Sequence, residues 1–349
     1  MERKTALVAG ALGIVGRSLV SHLATLDDWN VVALSRRAPE FRSPAQWISV
    51  DLLDRSDCEQ KLRSLDAVTH VFFAAYAEQA TEKAQVDVNR AMLANLAETI
   101  DAVADVQRIV LVEGAKWYGA QLGPYKTPAK ETDPRVLPPN FYYDQEDYLV
   151  ARALRGGRSW AAVRPSGICG FAVGNPMNVA TALAVYATIT RELGLPLRFP
   201  GKPLAYRSLI EYTDATHLAR AMVWAAISGA AANEAFNITN GDLARWEHLW
   251  PQLVTFFEME AAPPLHMPLV TFMADKGPIW DDIVRKHRLK PYSFAEIAAW
   301  PFLDGMLGLE YDVISDTGKA RRAGFHDAVD TEAMFVRTFT QFRADRIIP

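Results

Sequence analysis

A chain of 349 residues, half of them hydrophobic and 22% charged, is long enough for one large domain, alone or with a smaller companion. The formal net charge of −4 leaves no basic excess to neutralise nucleic-acid phosphates, so no nucleic-acid partner is expected. No stretch approaches the ~18 apolar residues of a membrane span, so no membrane partner is expected either.

The N-terminus and the metal-ligating residue types narrow the class further. The short apolar run after Met1 stops at Gly10, too early for a secretory signal. Cys58 and Cys169 are far apart and form no CxxC pattern, and no two histidines are four residues apart. These features predict reduced cysteines, no metal site and a cytoplasmic protein.

The first half of the chain alternates short apolar segments with amphipathic ones. The predicted strands are 5–9, 30–34, 47–50, 70–74, 108–112 and 159–163. The predicted helices are 17–26, 82–104 and 141–154. Strands that are apolar on both faces and alternate with helices predict a parallel sheet covered on both sides, a doubly wound α/β fold of the Rossmann type.

After Pro165 the pattern changes. Helices are predicted over 178–192 and 217–228, a strand returning to the sheet over 236–238, and proline-punctuated short helices from about residue 247 onward. We therefore predict an NADP-binding domain over 1–170, with a returning segment around 205–240. A smaller, mostly helical substrate lobe over 171–349 would interleave with it.

Gly10, Gly13 and Gly16 form a G-x-x-G-x-x-G pattern between the first strand and the first helix. Glycines at such a turn let the backbone approach a pyrophosphate, and the N-terminus of the helix supplies oriented N–H groups. A glycine-rich turn without a ligand is the alternative. The position of the pattern favours a dinucleotide site.

Ser35-Arg36-Arg37 follows the second predicted strand. An acidic residue at this point usually binds a free ribose 2′-hydroxyl, whereas arginine accommodates a 2′-phosphate. The two guanidinium groups can pair with the phosphate and stack on the adenine, which favours NADP(H), although solvated surface arginines are the alternative. Asp51 and Leu52, after the third strand, are expected at the adenine edge, or Asp51 caps the next helix.

The catalytic candidates come from two segments. Short-chain reductases normally carry Tyr and Lys four residues apart on one helix, and no tyrosine of this chain has that spacing. Lys116 follows the fifth strand, at the carboxyl edge where ligands bind, while Tyr142 and Tyr143 open the next helix. The alternatives are a surface charge for Lys116 and aromatic packing for the tyrosines.

Together these motifs resemble the progesterone 5-beta-reductase/iridoid synthase-like enzymes, an offshoot of the extended short-chain dehydrogenase/reductases. The resemblance runs from Thr5 to the C-terminal Arg-Ile-Ile-Pro. Its motifs are the glycine pattern, Ser-Arg-Arg, Gly114-Ala-Lys-Trp-Tyr118, Asn140-Phe-Tyr-Tyr-x-x-Glu-Asp147, Arg164-Pro165 and Phe236-Asn-Ile-Thr-Asn-Gly-Asp242. It implies NADPH-dependent reduction of carbon–carbon double bonds conjugated to a carbonyl, with Tyr142 and Lys116 as the catalytic residues.

The cofactor-binding residues expected on this basis lie in the glycine turn, after the strands and at the catalytic pair. They are Gly10, Gly13, Ile14, Val15, Gly16, Ser35, Arg36, Arg37, Asp51, Leu52, Ala75, Lys116, Tyr142 and Ile168. By analogy, residues 170–178 would close over the nicotinamide. The chain departs from the family at Trp117, where the family often has His, at Gly123-Pro124, which come later than expected, and at Tyr76, where many members have Trp.

The expected chemistry follows from the charge that develops. Hydride addition to the β-carbon of an enone leaves an enolate, whose oxygen a nearby phenol hydroxyl stabilises. A neighbouring ammonium would lower the pKa of the tyrosine and orient the ribose. The resemblance thus implies an NADPH-dependent ene-reductase that acts on a small apolar enone or enal and uses no metal. A homodimer is the general prior for a soluble enzyme, and the sequence leaves the oligomeric state open.

Two alternatives remain open at this point. One is a carbonyl reductase on the same scaffold, in which Tyr142 protonates the oxygen directly. The other is a non-catalytic NADP(H)-sensing regulator. A set of large side chains belongs either to an apolar substrate pocket or to the core: Met177, Phe199, Tyr206, Trp280, Phe302 and Met306.

Overall fold

The computed structural model describes residues 3–156, 158–175 and 177–349. Its strands are β1 (Lys4–Ala9), β2 (Trp29–Ser35), β3 (Gln46–Ser49), β4 (His70–Phe73), β5 (Arg108–Val112), β6 (Ser159–Arg164), β7 (Ile168–Cys169), β8 (Leu197–Arg198), β9 (Thr213–Asp214), β10 (Glu234–Asn237) and β11 (Ala261–Ala262).

The helices of the same residues alternate with these strands and then dominate the C-terminal part. They are α1 (Ile14–Leu23), α2 (Arg55–Leu62), α3 (Glu82–Asp101), α4 (Phe141–Gly156), α5 (Val179–Glu192), α6 (Ala215–Ile227), α7 (Trp246–Phe256), α8 (Leu269–Phe272), α9 (Gly277–His287), α10 (Phe294–Ile297), α11 (Trp300–Leu307), α12 (Gly318–Arg322) and α13 (Thr331–Ala344). Short 3₁₀ turns occur at Ala115–Tyr118 and Gly229–Ala231.

The central sheet is parallel, with the strand order β10-β6-β5-β4-β1-β2-β3. Val8 of β1 lies opposite Ala33 of β2 on one side and Phe72 of β4 on the other. The strand order therefore reverses at β1, directly before the glycine turn. Ligands of open α/β sheets bind in the crevice at such a reversal.

Helices cover both faces of the sheet, as the uniformly apolar strands predict. Side chains of α2, α3 and α4 pack on one face, and side chains of α1 and α6 pack on the other. The predicted doubly wound α/β fold of the Rossmann type is thus confirmed. The returning strand is β10, which pairs in parallel with β6 through partners such as Phe236 and Val163.

The bounds of α2, the helix expected after Asp51, escape sequence-based prediction, because only Cys58 and Leu62 of its residues are buried. Its N-cap is Asp54, whose carboxylate accepts hydrogen bonds from the N–H groups of Ser56 and Asp57. The alternative role considered for Asp51, capping this helix, is therefore wrong.

The C-terminal helices enclose a core of their own, built on α5, α7, α9, α11 and α13. Phe199 and Trp280 are 0% and 1% exposed in this core, so they are packing residues rather than a pocket lining. Tyr206, Phe302 and Met306 are partly buried against the same cluster. All five of these side chains therefore pack in or against this second core.

Candidate active site

The glycine turn connects β1 to α1 at the reversal of strand order. Gly10 has a φ of +77°, and a Cβ there would lie 2.6 Å from the carbonyl oxygen of Ala74. A Cβ on Gly16 would overlap the carbonyl oxygen of Gly10. Both glycines are therefore required by close packing of the turn against β4 and α1.

Gly13 differs from the other two glycines, because a Cβ there would make only ordinary contacts. The nearest atoms would be the Gly10 carbonyl oxygen at 3.4 Å and Nδ2 of Asn175 at 3.7 Å. Gly13 is the N-cap of α1, and the first N–H groups of a helix, here those of Ile14 and Val15, have no acceptor within it. A glycine that leaves the backbone accessible, next to N–H groups without an intrahelical acceptor, fits a pyrophosphate, so this turn can hold a dinucleotide.

Arg36 and Arg37 are both exposed at the carboxyl end of β2, where the sequence predicts the 2′-phosphate. The hydroxyl of Ser35 donates to the carbonyl of Arg37, which shapes this turn. The Arg37 guanidinium lies next to the segment that follows β7, since a Cβ built on Gly174 would be 3.6 Å from Nη2 of Arg37. The segment expected to close over the cofactor thus adjoins the arginine pair.

The sequence motifs assign no role to Arg17, which lies near the start of α1. Its guanidinium carbon lies 4.0 Å from the ring centroid of Phe41 and 4.8 Å from that of Phe171, and it pairs with Glu40. This sandwich joins the loop after β2 to the segment after β7. An arginine flanked by two aromatic rings distant in sequence has no local signal that would reveal it.

The remaining predicted cofactor residues also lie at the carboxyl ends of the strands. Asp51 is exposed, and its carboxylate accepts from the N–H of Leu53 at 3.0 Å. Leu52 is 7% exposed, and its carbonyl accepts from Asn95 at 2.9 Å. Both follow β3, where the adenine edge is expected.

Ala75 and Ile168 border the glycine turn from two sides. A Cβ on Gly10 would lie 2.7 Å from the N–H nitrogen of Ala75. Ile168 packs with Ile14 in a small apolar cluster, while Val15 packs toward the sheet. The structure therefore brings the predicted residues of β1, β4 and β7 together around one turn.

Tyr142 places its hydroxyl where β5 and β6 end. A Cβ built on Gly114 would lie 3.2 Å from that hydroxyl oxygen, so a side chain at this position would crowd the phenol. The Tyr142 ring lies 4.1 Å from the ring of Phe141, which in turn lies 5.6 Å from that of Tyr76. Burial is the largest cause that raises the pKa of Tyr142 well above its ordinary value, and the nearby charges of Tyr76 and Glu113 add to the shift. The phenol therefore stays protonated.

Tyr143 has a different environment. It is 4% exposed, and its hydroxyl donates to the carbonyl of Trp117 at 2.6 Å and accepts from the N–H of Val136 at 3.0 Å. The hydroxyl of Tyr142 forms no hydrogen bond with any residue that the structure describes. Tyr143 therefore holds the loop in place, and the hydroxyl of Tyr142 is free to meet a ligand.

Lys116 lies in the 3₁₀ turn Ala115–Tyr118, two residues after Gly114. Its side chain is exposed. The expectation that a neighbouring ammonium lowers the pKa of Tyr142 is wrong for this structure, because burial dominates and raises that pKa. The segments of Lys116 and Tyr142 nevertheless adjoin at the same edge of the sheet.

Asn140 joins those two segments directly. Its Nδ2 donates to the main-chain carbonyl of Lys116 at 2.8 Å, and its Oδ1 accepts from the N–H of Tyr142 at 3.1 Å. Asn140 is 5% exposed. One buried carboxamide therefore bridges the two predicted catalytic residues through their backbones.

A buried ion network lies behind this bridge. Arg164, the last residue of β6, donates to Glu113 and to Glu146 at 2.6 Å each, and its guanidinium carbon lies 3.7 Å from the ring centroid of Trp117. Arg135 donates to the other oxygen of Glu146 at 2.8 Å. Burial raises the pKa of Glu113 to about 8 although Arg164 opposes the shift. A sequence signal does exist, because opposite charges follow the apolar runs of two adjacent strands.

Two further findings concern metals and membranes. Within the described ranges, no group of three or more His, Cys, Asp or Glu side chains is arranged to hold a metal ion. No helix in the same part of the chain combines the length and apolar character needed to cross a bilayer. Both cysteines are buried and unpaired.

The parallel sheet and the glycine turn define a Rossmann-type protein. Residues 6–349 match the model of the PRISE-like Rossmann-fold domain. The chain belongs to this family, which is of the short-chain dehydrogenase/reductase type of oxidoreductases, and the predicted family resemblance is confirmed.

Characterised relatives and solved structures agree with this assignment. An (S)-8-oxocitronellyl enol synthase from Camptotheca acuminata is 35% identical over 99% of this chain and 94% of its own length. A 3-oxo-Delta(4,5)-steroid 5-beta-reductase from Arabidopsis thaliana is 32% identical over 99% and 93%, respectively. The UDP-glucose 4-epimerase of Thermus thermophilus, solved with NAD, is 20% identical with a TM-score of 0.66 over 97% of this chain and 99% of that one. The last likeness concerns the fold alone.

Proposed function

We propose that the chain is an NADPH-dependent ene-reductase that reduces the carbon–carbon double bond of a small apolar enone or enal. The observation that carries this proposal is the protonated hydroxyl of Tyr142, which has no hydrogen-bond partner among the described residues and lies at the same carboxyl edge of the sheet as the glycine turn. One relative is named for 5-beta reduction of 3-oxo-Delta(4,5)-steroids, which are enones.

NADPH is the proposed cofactor because Arg36 and Arg37 are exposed at the end of β2, where a 2′-phosphate would lie. The backbone at Gly13 and the N-terminus of α1 would hold the pyrophosphate. The nicotinamide would then lie toward Tyr142. Residues 1–170, together with the returning segment around 205–240, would form the cofactor half, and residues 171–349 would form the substrate half.

Bound NADPH would supply a hydride to the β-carbon of the substrate. Tyr142 would donate a hydrogen bond to the carbonyl oxygen, which gains negative charge as the enolate forms. Tyr142 is half-buried, and this partial removal from water raises the pKa of its phenol and strengthens its hydrogen bond at the moment when the charge develops. Lys116 would support the arrangement by binding the ribose of the cofactor.

Carbonyl reduction would use the same residues, with the hydride placed on the carbonyl carbon and the Tyr142 proton transferred outright. A non-catalytic NADP(H) sensor would need the glycine turn and neither catalytic residue. Product chemistry separates all three functions.

The test supplies NADPH carrying deuterium at the transferable position to the purified protein with a panel of small enones and enals. We expect a saturated ketone or aldehyde with deuterium on the β-carbon, detected by mass spectrometry and NMR. An allylic alcohol with deuterium on the carbonyl carbon would identify a carbonyl reductase. Cofactor binding without turnover on any member of the panel would favour the sensor.

Cofactor preference is measured in the same assay. Arg36→Ala should raise the KM for NADPH far more than the KM for NADH, since only NADPH carries the 2′-phosphate. Arg42→Ala, an exposed arginine of the same loop outside the predicted site, is the matched control. Equal or better turnover with NADH in the unmodified protein would contradict the choice of NADPH.

A further inference from the structure

The two proposed catalytic residues lie on different elements. Tyr142 is in the first turn of α4, and Lys116 is in the 3₁₀ turn after β5. When such a pair lies on one helix, the helix itself fixes the distance between the two side chains. Here no single element does so, and some other contact must hold the lysine relative to the phenol.

The side chain of Asn140 makes that contact. It touches both residues at once, with Nδ2 on the Lys116 carbonyl at 2.8 Å and Oδ1 on the Tyr142 N–H at 3.1 Å. The bond to Tyr142 is an N-cap of α4, because the side chain of the residue before the helix accepts from one of its first N–H groups. The bond to Lys116 is not part of any cap and runs to another element 24 residues away in the chain.

The surroundings make the bridge rigid. Asn140 is 5% exposed, so water does not compete for its carboxamide. Arg164 holds the same two segments from behind, through Glu113 before the 3₁₀ turn and Glu146 one turn into α4. The flexible part of the pair is then limited to the side chain of Lys116 itself.

We propose that Asn140 is a positioning residue that sets Lys116 relative to Tyr142, taking the place of the single-helix spacing of other short-chain reductases. This inference rests on the proposed function, since it assigns Lys116 and Tyr142 to the same reaction. Asn140 touches neither substrate nor cofactor in this scheme and acts through the backbone carbonyl of Lys116.

The bridge and the cap can be separated by substitution. Asn140→Ser keeps an uncharged N-cap for α4 but is too short to reach the Lys116 carbonyl. Asn140→Asp is the second variant, because aspartate also caps helices and lacks the Nδ2 donor. Both should fold, with melting temperatures lowered by only a few degrees, and either one suffices if the other is poorly expressed.

The experiment is a double-mutant cycle of Asn140→Ser with Lys116→Ala, measured by turnover of an enone that the unmodified protein has already been shown to reduce. We expect Asn140→Ser to lower turnover by ~10²-fold, the typical effect of a displacement of ~1 Å in a catalytic group. In the Lys116→Ala background the same substitution should lower turnover by less than ~2-fold, because the group it positions is absent. The KM for NADPH should rise in both single variants, since Asn140→Ser displaces the group that binds the ribose and Lys116→Ala removes it.

Two outcomes would overturn the proposal. An equal loss in both backgrounds would mean that Asn140 acts through the fold or through Tyr142, and not through Lys116. Full turnover in Asn140→Ser and Asn140→Asp would mean that Lys116 is held by other contacts. Failure of the unmodified protein to reduce any enone is seen before the cycle begins and concerns the proposed function alone.

Discussion

Substituting each tyrosine of the adjacent pair by phenylalanine should produce opposite effects. Tyr142→Phe removes a hydroxyl that contacts no hydrogen-bond partner among the described residues, and the ring that packs on Phe141 remains. Tyr143→Phe removes a hydroxyl that joins the Trp117 carbonyl to the Val136 N–H. One variant should therefore lose activity and the other should lose stability.

The magnitudes follow from the contacts. Loss of a single donor to a developing oxyanion lowers turnover by ~10²–10³-fold, which is the expectation for Tyr142→Phe with unchanged unfolding. Leaving two buried partners of Tyr143 unsatisfied should reduce the free energy of unfolding by ~1–3 kcal/mol. Because an enolate can take its later proton from water, Tyr142→Phe should retain some turnover.

The assay combines steady-state NADPH oxidation with denaturant unfolding of both variants. Binding of NADPH, measured by calorimetry, serves as the control that the cofactor site is intact in each. Full activity in Tyr142→Phe together with loss of turnover in a folded Tyr143→Phe protein would refute the assignment of the active tyrosine.

Two further predictions concern the glycine turn and the buried carboxyl group. Gly13→Ala should fold normally, because its methyl group makes only ordinary contacts, yet it should bind NADPH ~10-fold or more weakly, because that methyl group keeps the pyrophosphate from approaching the backbone. Gly16→Ala should instead destabilise the fold by ~1–3 kcal/mol through overlap with the turn. Calorimetry and thermal unfolding of both variants distinguish the two effects, and undiminished NADPH binding by Gly13→Ala would remove the turn from the site. Burial raises the pKa of Glu113 from 4.5 to about 8 in the folded protein. The stability that the protonated Glu113 contributes is therefore fully present below its unfolded pKa and is lost as the pH rises through its folded pKa. The unmodified protein should therefore lose stability relative to Glu113→Gln between about pH 4.5 and 8, and a difference that does not change with pH would contradict this.

Local patterns were sufficient for the fold. The strands at the centre of the sheet are buried on both faces, so their uniform apolar character alone identifies β1, β4, β5 and β6. The turn at Gly10 requires a positive φ and close approach to Ala74, and only glycine satisfies both, which is why the motif is visible in the sequence. The bounds of helix α2 could not be predicted, because a helix with two buried residues has almost no hydrophobic periodicity.

What the sequence by itself determined is the class of the protein: a doubly wound sheet, a dinucleotide turn and an arginine pair after β2. Each of these depends on residues that are neighbours in the chain. The choice between Tyr142 and Tyr143 rested on family resemblance, and the structure adds a physical reason, since the hydroxyl of Tyr143 is occupied by Trp117 and Val136.

Only the tertiary structure decided how the site is held together. Asn140 meets Lys116 across 24 residues, and Arg164 meets Glu113 across 51 and Glu146 across 18. The direction of the Tyr142 pKa shift likewise depends on burial by side chains from several elements. Contacts between residues remote in the chain depend on how the elements pack, and no local pattern of residue types records them.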